Sequence, residues 1–358
     1  MGRIGILTHH YVKNYGAFLQ AYALTRVVGE LSGEPVCLVN YINSYHLLRN
    51  IIHVVRFRRG KDDWSNYCQR LRQCATLAQF EKTLPRTQRV RSGAQIDGLG
   101  LDRLIIGSDE VWDFEDYGYA PVKFGCGVER TPLAVYAPSV GRSTHWETLP
   151  PQIQASLKRM EHLSSRDAGT DAFVRAMTGR TPLRVLDPAL LYNYEGEVQQ
   201  AENPYRDRPY LLVYDCKLTE AQIREVRAYA GERGWLILGA GEQAPWYDGS
   251  TTNLTPWEWV SMFRYAQAVI TGTFHGAVFS VKFRKNFVAY PTEQNRINKI
   301  SSLLADIGLT ERIISDPSGL LPTLESDMGP GKQWERVEEL KQQSLDYLRQ
   351  LCGRGVRT

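Results

Sequence analysis

Residues 268–277 read AVITGTFHGA, and this stretch decides the fold of the second half of the chain. Its first four residues, Ala268–Thr271, are apolar or β-branched and predict a short buried strand that ends at Gly272. A helix is predicted to begin within two or three residues of that glycine. A buried strand that passes directly into a helix is the unit of an open α/β sheet, and such sheets bind ligands beyond the carboxyl ends of their strands.

The same alternation of short apolar strands and helices extends in both directions from this stretch. A capping box at Thr255-Pro256-Trp257-Glu258 marks the start of a helix that runs to about residue 265. Residues 42–100 lack a clear period and are predicted to be helical. This alternation is typical of a parallel sheet covered on both faces. The predicted strands cover residues 3–8, 35–41, 102–107, 133–137, 163–166, 184–186, 210–215, 235–238, 268–271 and 286–290.

The fold class predicted from this pattern is α/β, with two Rossmann-like doubly wound parallel-sheet domains. A chain of 358 residues is long enough to form two such domains. The first is predicted to span residues 1–195 and the second residues 196–330, with a polar linker near residues 194–209. Residues 331–358 are predicted to form an amphipathic helix and tail that pack across both domains.

Composition excludes several classes of protein. Lysine and arginine number 43 against 39 acidic residues, and the formal charge of +4 is too small to indicate a nucleic-acid partner. The six cysteines form no CxxC pair and none lies near histidine at zinc spacing, so we expect reduced thiols and no metal site. No apolar run approaches the roughly 18 residues of a membrane span. A cytoplasmic location is therefore predicted, with at most a contact at the inner face of the membrane.

The helix start after residue 272 is the first candidate site. Backbone N–H groups at a helix start carry partial positive charge and suit a phosphate, and Thr273 adds a hydroxyl donor. His275 lies in the first turn, where an adjacent dianion favours its protonated form and makes it a general acid. Gly276 allows backbone or substrate to approach closely. The structural alternative is a capped helix with a buried, hydrogen-bonded histidine.

Three further junctions carry candidate ligand-binding side chains. The loop after the first strand contains Asn14 and Tyr15, which either face a cleft or cap and pack the first helix. Asp109 ends a buried strand with Trp112 one turn later, and a carboxylate beside an indole suits a sugar, unless Asp109 is only an N-cap. Arg166 ends another strand, where it binds an anionic ligand or pairs with a neighbouring carboxylate.

Residues 49–91 are basic and partly apolar. Between residues 49 and 61 the chain carries five lysines or arginines and no acid, interleaved with isoleucine, valine and phenylalanine. Such a stretch either makes a peripheral contact with an anionic membrane surface or forms a solvated helix face.

No nucleotide cofactor is expected. Residues 239–244 read GAGEQA, which matches a dinucleotide-binding pattern. However, Pro245 and Trp246 follow, no helix is predicted to open there, and the first half contains no such pattern. An NAD site is therefore not predicted.

Seven groups of short motifs, taken in chain order, resemble the polysaccharide pyruvyltransferase family. The resemblance extends from about residue 5 to residue 312 and covers most of the chain. Each motif is short, but their order is specific. The motifs are Asn14-Tyr15-Gly16-Ala17 with Leu19-Gln20-Ala21-Tyr22, Gly107-Ser108-Asp109-Glu110-Val111-Trp112, Tyr136-Ala137 with Ser139 and Gly141, Ser165-Arg166-Asp167, Leu186-Asp187-Pro188, Thr273-Phe274-His275-Gly276, and Asn295-Arg296-Ile297.

The resemblance implies a glycosyltransferase-B-like fold and a transferase that uses phosphoenolpyruvate as co-substrate, with no cofactor. The product is a cyclic pyruvyl ketal across two hydroxyls of a sugar, in a glycan or on a lipid-linked precursor, as in exopolysaccharide or other cell-surface glycan biosynthesis. Two other functions are compatible with the same fold. One is a conventional glycosyltransferase with a nucleotide-sugar donor, and the other is a non-catalytic glycan-binding relative.

The resemblance implies a donor site at Arg166, Thr273, Phe274 and His275, and the chemistry of the residues described above predicts the other roles. Some relatives carry arginine at the position of Thr273, so one cationic contact to the donor is absent here. In this chemistry His275 protonates the donor and Asp109 orients or deprotonates the acceptor. The acceptor-binding residues are Asn14, Tyr15 and Trp112. The donor-binding residues are Arg166, Thr273, Phe274, Gly276 and Arg296.

Overall fold

The computed structural model describes residues 2–57, 64–249 and 251–353 of the chain. Within them, short strands alternate with helices, as the apolar pattern predicts. The strands are β1 Ile4–Leu7, β2 Val36–Tyr41, β3 Arg86–Val90, β4 Arg103–Ile106, β5 Leu133–Val135, β6 Ser164–Ser165, β7 Leu183–Arg184, β8 Tyr210–Tyr214, β9 Leu236–Gly239, β10 Ala268–Thr271 and β11 Asn286–Ala289. The helices are α1 Tyr15–Ser32, α2 Ser44–Val55, α3 Trp64–Thr83, α4 Gly93–Asp97, α5 Pro151–Arg159, α6 Ala168–Thr178, α7 Pro188–Leu191, α8 Glu195–Gln200, α9 Glu220–Glu232, α10 Pro256–Tyr265, α11 Phe274–Lys282, α12 Gln294–Ile307, α13 Leu320–Glu325 and α14 Lys332–Leu351.

The described residues divide into two compact units that exchange chain segments. The sequence analysis predicted that each domain is one continuous segment of the chain. In the structure, part of α3 belongs to the second unit, where Gln73 Nε2 donates to Leu254 O at 2.9 Å and Thr76 Oγ1 donates to Asn253 Oδ1 at 2.8 Å. The first unit contains the described parts of Met1–Val55, Ala78–Tyr192 and Glu338–Thr358, and the second those of Arg56–Leu77 and Asn193–Val337.

The last helix, α14, supplies residues to both units. Its first turns, up to Val337, belong to the second unit, where Trp334 lies under the guanidinium of Arg284 at 5.3 Å. The remainder belongs to the first unit. There Tyr347 Oη donates to Val135 O at 2.9 Å, and Ser344 Oγ accepts the N–H of Leu186 at 2.9 Å. The amphipathic helix predicted from residue 331 onward therefore contacts the second unit with its N-terminal turns and the first unit with its C-terminal turns.

The first unit is built on a five-stranded parallel sheet in the order β3-β2-β1-β4-β5. Strand β1 pairs in register with β2 through Ile4 and Val36, and with β4 through Leu7 and Ile106. The chain adds β2 and β3 on one side of β1 and then β4 and β5 on the other. A topological switch point, where ligands bind in open α/β sheets, therefore lies between the carboxyl ends of β1 and β4.

The second unit is built on a four-stranded parallel sheet in the order β11-β10-β8-β9. Strand β10 pairs with β8 in register through Thr271 and Tyr214. Because β9 lies on one side of β8 and β10 on the other, a second switch point lies between the carboxyl ends of β8 and β10. The apolar strand residues at this place are buried, which agrees with the continuous apolar runs of a sheet covered on both faces.

The prediction that residues 42–100 are helical is wrong for β3. This strand reads RTQRV, and it contains one apolar residue, Val90, which is buried together with Thr87. It is the edge strand of its sheet, so Gln88 and Arg89 remain exposed. A strand without an apolar run carries no periodic signal, and only its pairing with β2 reveals it.

Helix α2 exposes an apolar face. Five of its described apolar side chains keep between 42% and 54% of their surface exposed. Part of the basic stretch, residues 58–63 with Arg58, Arg59 and Lys61, lies outside the described residues. Among the helices described, none combines the length and the hydropathy needed to cross a bilayer. These exposed apolar side chains are those of Tyr45, Leu48, Ile51, Ile52 and Val55.

Candidate functional site

A buried hydrogen-bond network joins the loops that follow β1 and β4 in the first unit. Thr8 Oγ1 donates to Ser108 O at 2.9 Å, and Gln20 on α1 donates to Thr8 Oγ1 at 3.1 Å. Ser108 Oγ donates to the amide oxygen of the same glutamine. His9 and Asp109 are the next residues along the two loops, so this network brings both to the switch point. Two of the sequence motifs, around Gln20 and around Asp109, thus meet in one network.

Asp109 is held by a buried guanidinium. Arg166, directly after β6, donates from Nη2 to Asp109 Oδ1 at 2.9 Å and from Nη1 to Asp187 Oδ2 at 2.6 Å. Burial disfavours the charge on Arg166, but the two carboxylates outweigh it and raise the pKa of Arg166 above its ordinary value. The guanidinium is therefore already engaged by two carboxylates, and the structure shows the ion-pair alternative for Arg166 where donor binding was predicted. Asp187, the second carboxylate, belongs to the Leu186-Asp187-Pro188 motif, but the sequence analysis gave it no role in a site.

The structure corrects the prediction that Trp112 binds a sugar. Its indole has no exposed surface, donates from Nε1 to Lys123 O at 2.9 Å and stacks on Phe124 with ring centroids 5.7 Å apart. A fully buried ring offers no face to a ligand. A ligand-binding tryptophan one turn after a strand-end carboxylate has the same sequence signature as a core tryptophan, and only the packing distinguishes the two.

Asn14 and Tyr15 adopt the structural alternative that the sequence left open. Asn14 Oδ1 accepts the N–H groups of Gly16 at 2.7 Å and Ala17 at 3.3 Å, which makes it the N-cap of α1. Tyr15 is buried. Both residues therefore have a clear structural task in shaping the first turn of α1, and acceptor binding by them stays a prediction.

The second switch point brings a cation next to the predicted helix start. Arg296 on α12 donates from Nη1 to Asp215 Oδ2 at 2.8 Å and to Gly272 O at 3.3 Å. Its Nε lies 3.3 Å from Glu293 Oε2. Gly272 immediately precedes the N-cap of α11, and a Cβ atom on it would lie 2.2 Å from Asp215 O. Glycine is thus required here because the loops after β8 and β10 approach so closely.

Helix α11 begins as predicted, at the carboxyl end of β10. Thr273 is its N-cap and accepts the N–H of Gly276 at 3.0 Å. A Cβ atom on Gly276 would lie 1.9 Å from Thr271 Oγ1, so this glycine permits close packing of the first turn against β10. Phe274 is buried, whereas His275 is half-buried. Thr273, His275 and Arg296 therefore share one edge of the second unit.

Glu242 is a titratable residue of this edge that the sequence did not identify as functional. Its two carboxylate oxygens accept from Tyr247 Oη at 2.7 Å and from the N–H of Asp215 at 3.0 Å. Burial raises the pKa of Glu242 to about 7 in spite of these two hydrogen bonds. In the sequence, only its position in the GAGEQA segment, three residues after the end of β9, could have pointed to it.

The fold is similar to that of solved sugar-modifying enzymes. A protein from Listeria monocytogenes described as a UDP-N-acetylglucosamine 2-epimerase aligns with a TM-score of 0.51 and 10% identity over 97% of this chain and 90% of that one. A UDP-GlcNAc 2-epimerase from Methanocaldococcus jannaschii (TM-score 0.48, 11% identity, 95% and 99% covered) and a glycosyltransferase from Streptomyces nogalater (0.48, 10%, 98% and 98%) also align. The architecture is thus of the glycosyltransferase-B kind that was expected.

Sequence comparison gives the family. No curated protein matches this chain. A family model described as polysaccharide pyruvyl transferase matches residues 14–294, a range that includes all of the predicted site residues except Arg296. The chain therefore belongs to the polysaccharide pyruvyl transferase family, which is a family of transferases.

Proposed function

We propose that this protein transfers the enolpyruvyl unit of phosphoenolpyruvate onto two hydroxyls of a glycan or lipid-linked sugar, forming a cyclic ketal and releasing phosphate. A proton added to the C3 methylene makes C2 electrophilic. One sugar hydroxyl attacks C2 and loses its proton, and the C2–O bond to phosphate breaks. The second hydroxyl closes the ring on C2 and loses its proton in turn. One of the two hydroxyl protons restores the acid, and the other leaves with phosphate or solvent.

The observation that carries this proposal is the contact between Arg296 and Gly272 O, one residue before the N-cap of α11. It puts a guanidinium beside a helix N-terminus, and these are the two groups that best recognise a phosphate or a carboxylate. The first turn of α11 contains no acidic residue. Phosphoenolpyruvate carries both anionic groups, so it fits this edge of the second unit.

The two arginines differ in how readily they can accept a substrate anion. Arg296 pairs with Asp215 and Glu293, which are exposed carboxylates, and exposed ion pairs contribute only about 0–1 kcal/mol. An incoming phosphate can therefore replace them at little cost. Arg166 pairs with carboxylates in a buried network that is expensive to break. We accordingly assign Arg296 to the donor and give Arg166 a positioning task.

His275 is the proposed general acid that protonates C3. It stands in the first turn of α11, two residues after the N-cap Thr273, and keeps part of its surface exposed. In the first unit, Asp109 is the proposed acceptor-orienting group. Arg166 fixes the direction of its carboxylate, as a second residue behind a catalytic group commonly does.

A phosphate-release assay tests the proposal. The wild type is incubated with phosphoenolpyruvate and a panel of galactose, mannose and glucosamine acceptors, free and lipid-linked. Thr273→Ala removes the N-cap at the proposed donor site and should raise KM for phosphoenolpyruvate. Thr255→Ala is its matched control, because it removes the N-cap of α10 in the same unit and should leave KM unchanged. No phosphate release with any acceptor would overturn the proposal.

Thermal shift separates this activity from the two alternatives. Stabilisation by phosphoenolpyruvate, and not by UDP- or GDP-sugars, is expected for a pyruvyltransferase. Stabilisation by a nucleotide sugar alone would indicate a conventional glycosyltransferase. Stabilisation by sugars, without phosphate release, would indicate a glycan-binding relative.

A peripheral membrane contact is proposed for α2. Its exposed apolar side chains lie in a stretch, residues 42–61, that contains no acidic residue. Apolar side chains flanked by cations bind the surface of an anionic bilayer through burial and charge together. Such a contact would bring the enzyme to lipid-linked acceptors at the inner face of the membrane.

A further inference from the structure

A lysine and a histidine form a buried pair of bases in the first unit. Lys123 lies on the short 3₁₀ helix Pro121–Phe124, and only 1% of its surface is exposed. Its Nζ lies 2.5 Å from His9 Nε2 and donates to Gly118 O at 2.7 Å. Among the described residues, no carboxylate lies within ion-pair distance of this amine. A lysine that is buried without a carboxylate partner is costly to retain as a cation.

The surroundings of this pair are rich in titratable groups. His46 lies beside His9, with ring centroids 5.4 Å apart, and its Nε2 is 3.6 Å from Asp116 Oδ2. Tyr11 Oη bonds to the other ring nitrogen of His46 at 3.0 Å. The charged or titratable groups that act on Lys123 or His9 are Asp116, Asp109, Asp113, His46 and His10.

Burial favours the neutral forms of Lys123 and His9. Burial lowers the pKa of Lys123 to about 7, although Asp116, Asp109 and Asp113 oppose this change. Burial, and then the charge of Lys123, lower the pKa of His9 well below its ordinary value. At neutral pH the two bases therefore share about one proton at most.

The pair stands where an acceptor is expected. His9 follows β1 by two residues, and the bond between Thr8 and Ser108 ties its loop to that of Asp109 at the switch point. His9 keeps 7% of its surface exposed, against 1% for Lys123. The imidazole is thus the part of the pair that a substrate reaches, and the amine lies behind it.

We propose that His9 is the base that removes the proton from the attacking acceptor hydroxyl, and that Lys123 stores this proton. This inference rests on the proposed pyruvyl transfer. As the hydroxyl oxygen bonds to C2 of the donor, its proton passes to Nδ1 of His9, and the proton on Nε2 passes to the neutral amine of Lys123. The amine becomes an ammonium ion and later returns the proton to solvent through His9. Asp109 orients the hydroxyl.

The pH profile of turnover tests this assignment. In the wild type, kcat/KM for the acceptor should fall as pH drops below about 7, because the pair then already holds its proton. Lys123→Arg keeps a donor and a positive charge but cannot be deprotonated, and it should reduce kcat by roughly 10²–10⁴-fold with KM for phosphoenolpyruvate unchanged. His9→Gln should cause a similar loss. Wild-type rates in both variants would overturn the proposal.

A stability measurement keeps the test informative if a variant is inactive for structural reasons. A lysine whose pKa falls from 10.5 to about 7 on folding binds fewer protons in the folded state between these values, so stability should rise with pH across this window. Lys123→Met should abolish this rise in urea denaturation at pH 7 and pH 10. A rise unchanged in Lys123→Met would show that the amine is not the neutral base. A wild type that releases no phosphate with any acceptor would overturn the proposed function itself.

Discussion

Arg166 Nη1 donates to Asp187 Oδ2 at 2.6 Å, and neither side chain exposes more than 2% of its surface. Removing one partner leaves an uncompensated buried charge, which typically costs about 3–5 kcal/mol. Arg166→Met should therefore lower the free energy of unfolding by that amount in urea denaturation. Arg296→Met is the matched control, because its ion pairs are partly exposed to solvent, and it should change stability by less than about 1 kcal/mol. Equal losses in both variants would contradict the contrast drawn between the two arginines.

His275→Ala should reduce turnover by roughly 10²–10⁴-fold while the fold is retained, because it removes the proposed general acid. The phosphate-release rate measures the loss, and circular dichroism with the melting temperature checks the fold. His145→Ala provides a control, since His145 is an exposed histidine that pairs with Glu115 at 3.0 Å in the first unit. Full activity in His275→Ala would remove His275 from the reaction.

Glu242 should make the stability of the protein depend on pH. Its pKa rises from 4.5 in the unfolded chain to about 7 in the folded one, so the folded state binds more protons between these values. The corresponding contribution to stability is present in full below about pH 4.5 and is lost as pH rises through 7. Between pH 5 and pH 8 the melting temperature of the wild type should therefore fall relative to that of Glu242→Gln. An identical slope in both proteins would exclude this carboxyl as the titrating group.

Alanine should have opposite effects at two helical glycines of the second unit. At Gly276 the added Cβ meets Thr271 Oγ1 at 1.9 Å, and such overpacking typically costs about 1–3 kcal/mol. At Gly231, on the exposed side of α9, the added Cβ meets no atom within 4 Å beyond its chain neighbours and the backbone of its own helix, and alanine should stabilise by about 0.5–1 kcal/mol. Thermal unfolding of the two variants measures both effects. Stabilisation at Gly276 would contradict the close packing of α11 on β10.

Helix α2 should bind anionic vesicles. The wild type is expected to sediment with phosphatidylserine-containing vesicles and less with neutral ones, and binding should weaken at high salt. Ile51→Ser with Ile52→Ser should reduce binding, because these side chains form part of the exposed apolar face. Leu183→Ser, which alters an exposed apolar residue on β7, should not. Equal sedimentation of all three proteins would refute the contact.

The alternation of strands and helices was predictable because the sheet strands are mostly continuous apolar runs that end at glycine or polar residues. Strand β10 and the start of α11 follow from residues 268–277 alone, and the capping box at Thr255 forms as predicted. Strand β3 was missed because RTQRV at a sheet edge has no such run. The membership of residues 56–77 in the second unit depends on hydrogen bonds that span more than 170 positions, and no local pattern encodes these.

The residue chemistry alone identified the candidate site most directly where neighbouring residues of one loop form it. Thr273 and His275 lie two residues apart at the same strand–helix junction, so the sequence pattern identified them together. Lys123 became visible only through its contact with His9, 114 positions away, and its own surroundings in the sequence look like an exposed turn. Trp112 is the opposite case. Its sequence context predicted a ligand-binding residue, but in the structure its side chain is buried in the core.

The division of the first unit among three chain segments has a consequence for synthesis on the ribosome. The continuous segment Asn193–Val337 of the second unit emerges before Ser344 and Tyr347 do. Until those two residues are made, the N–H of Leu186 and the carbonyl of Val135 lack the hydrogen bonds that α14 gives them. The first unit therefore cannot complete its hydrogen bonding until α14 has been made, although most of its residues are translated first.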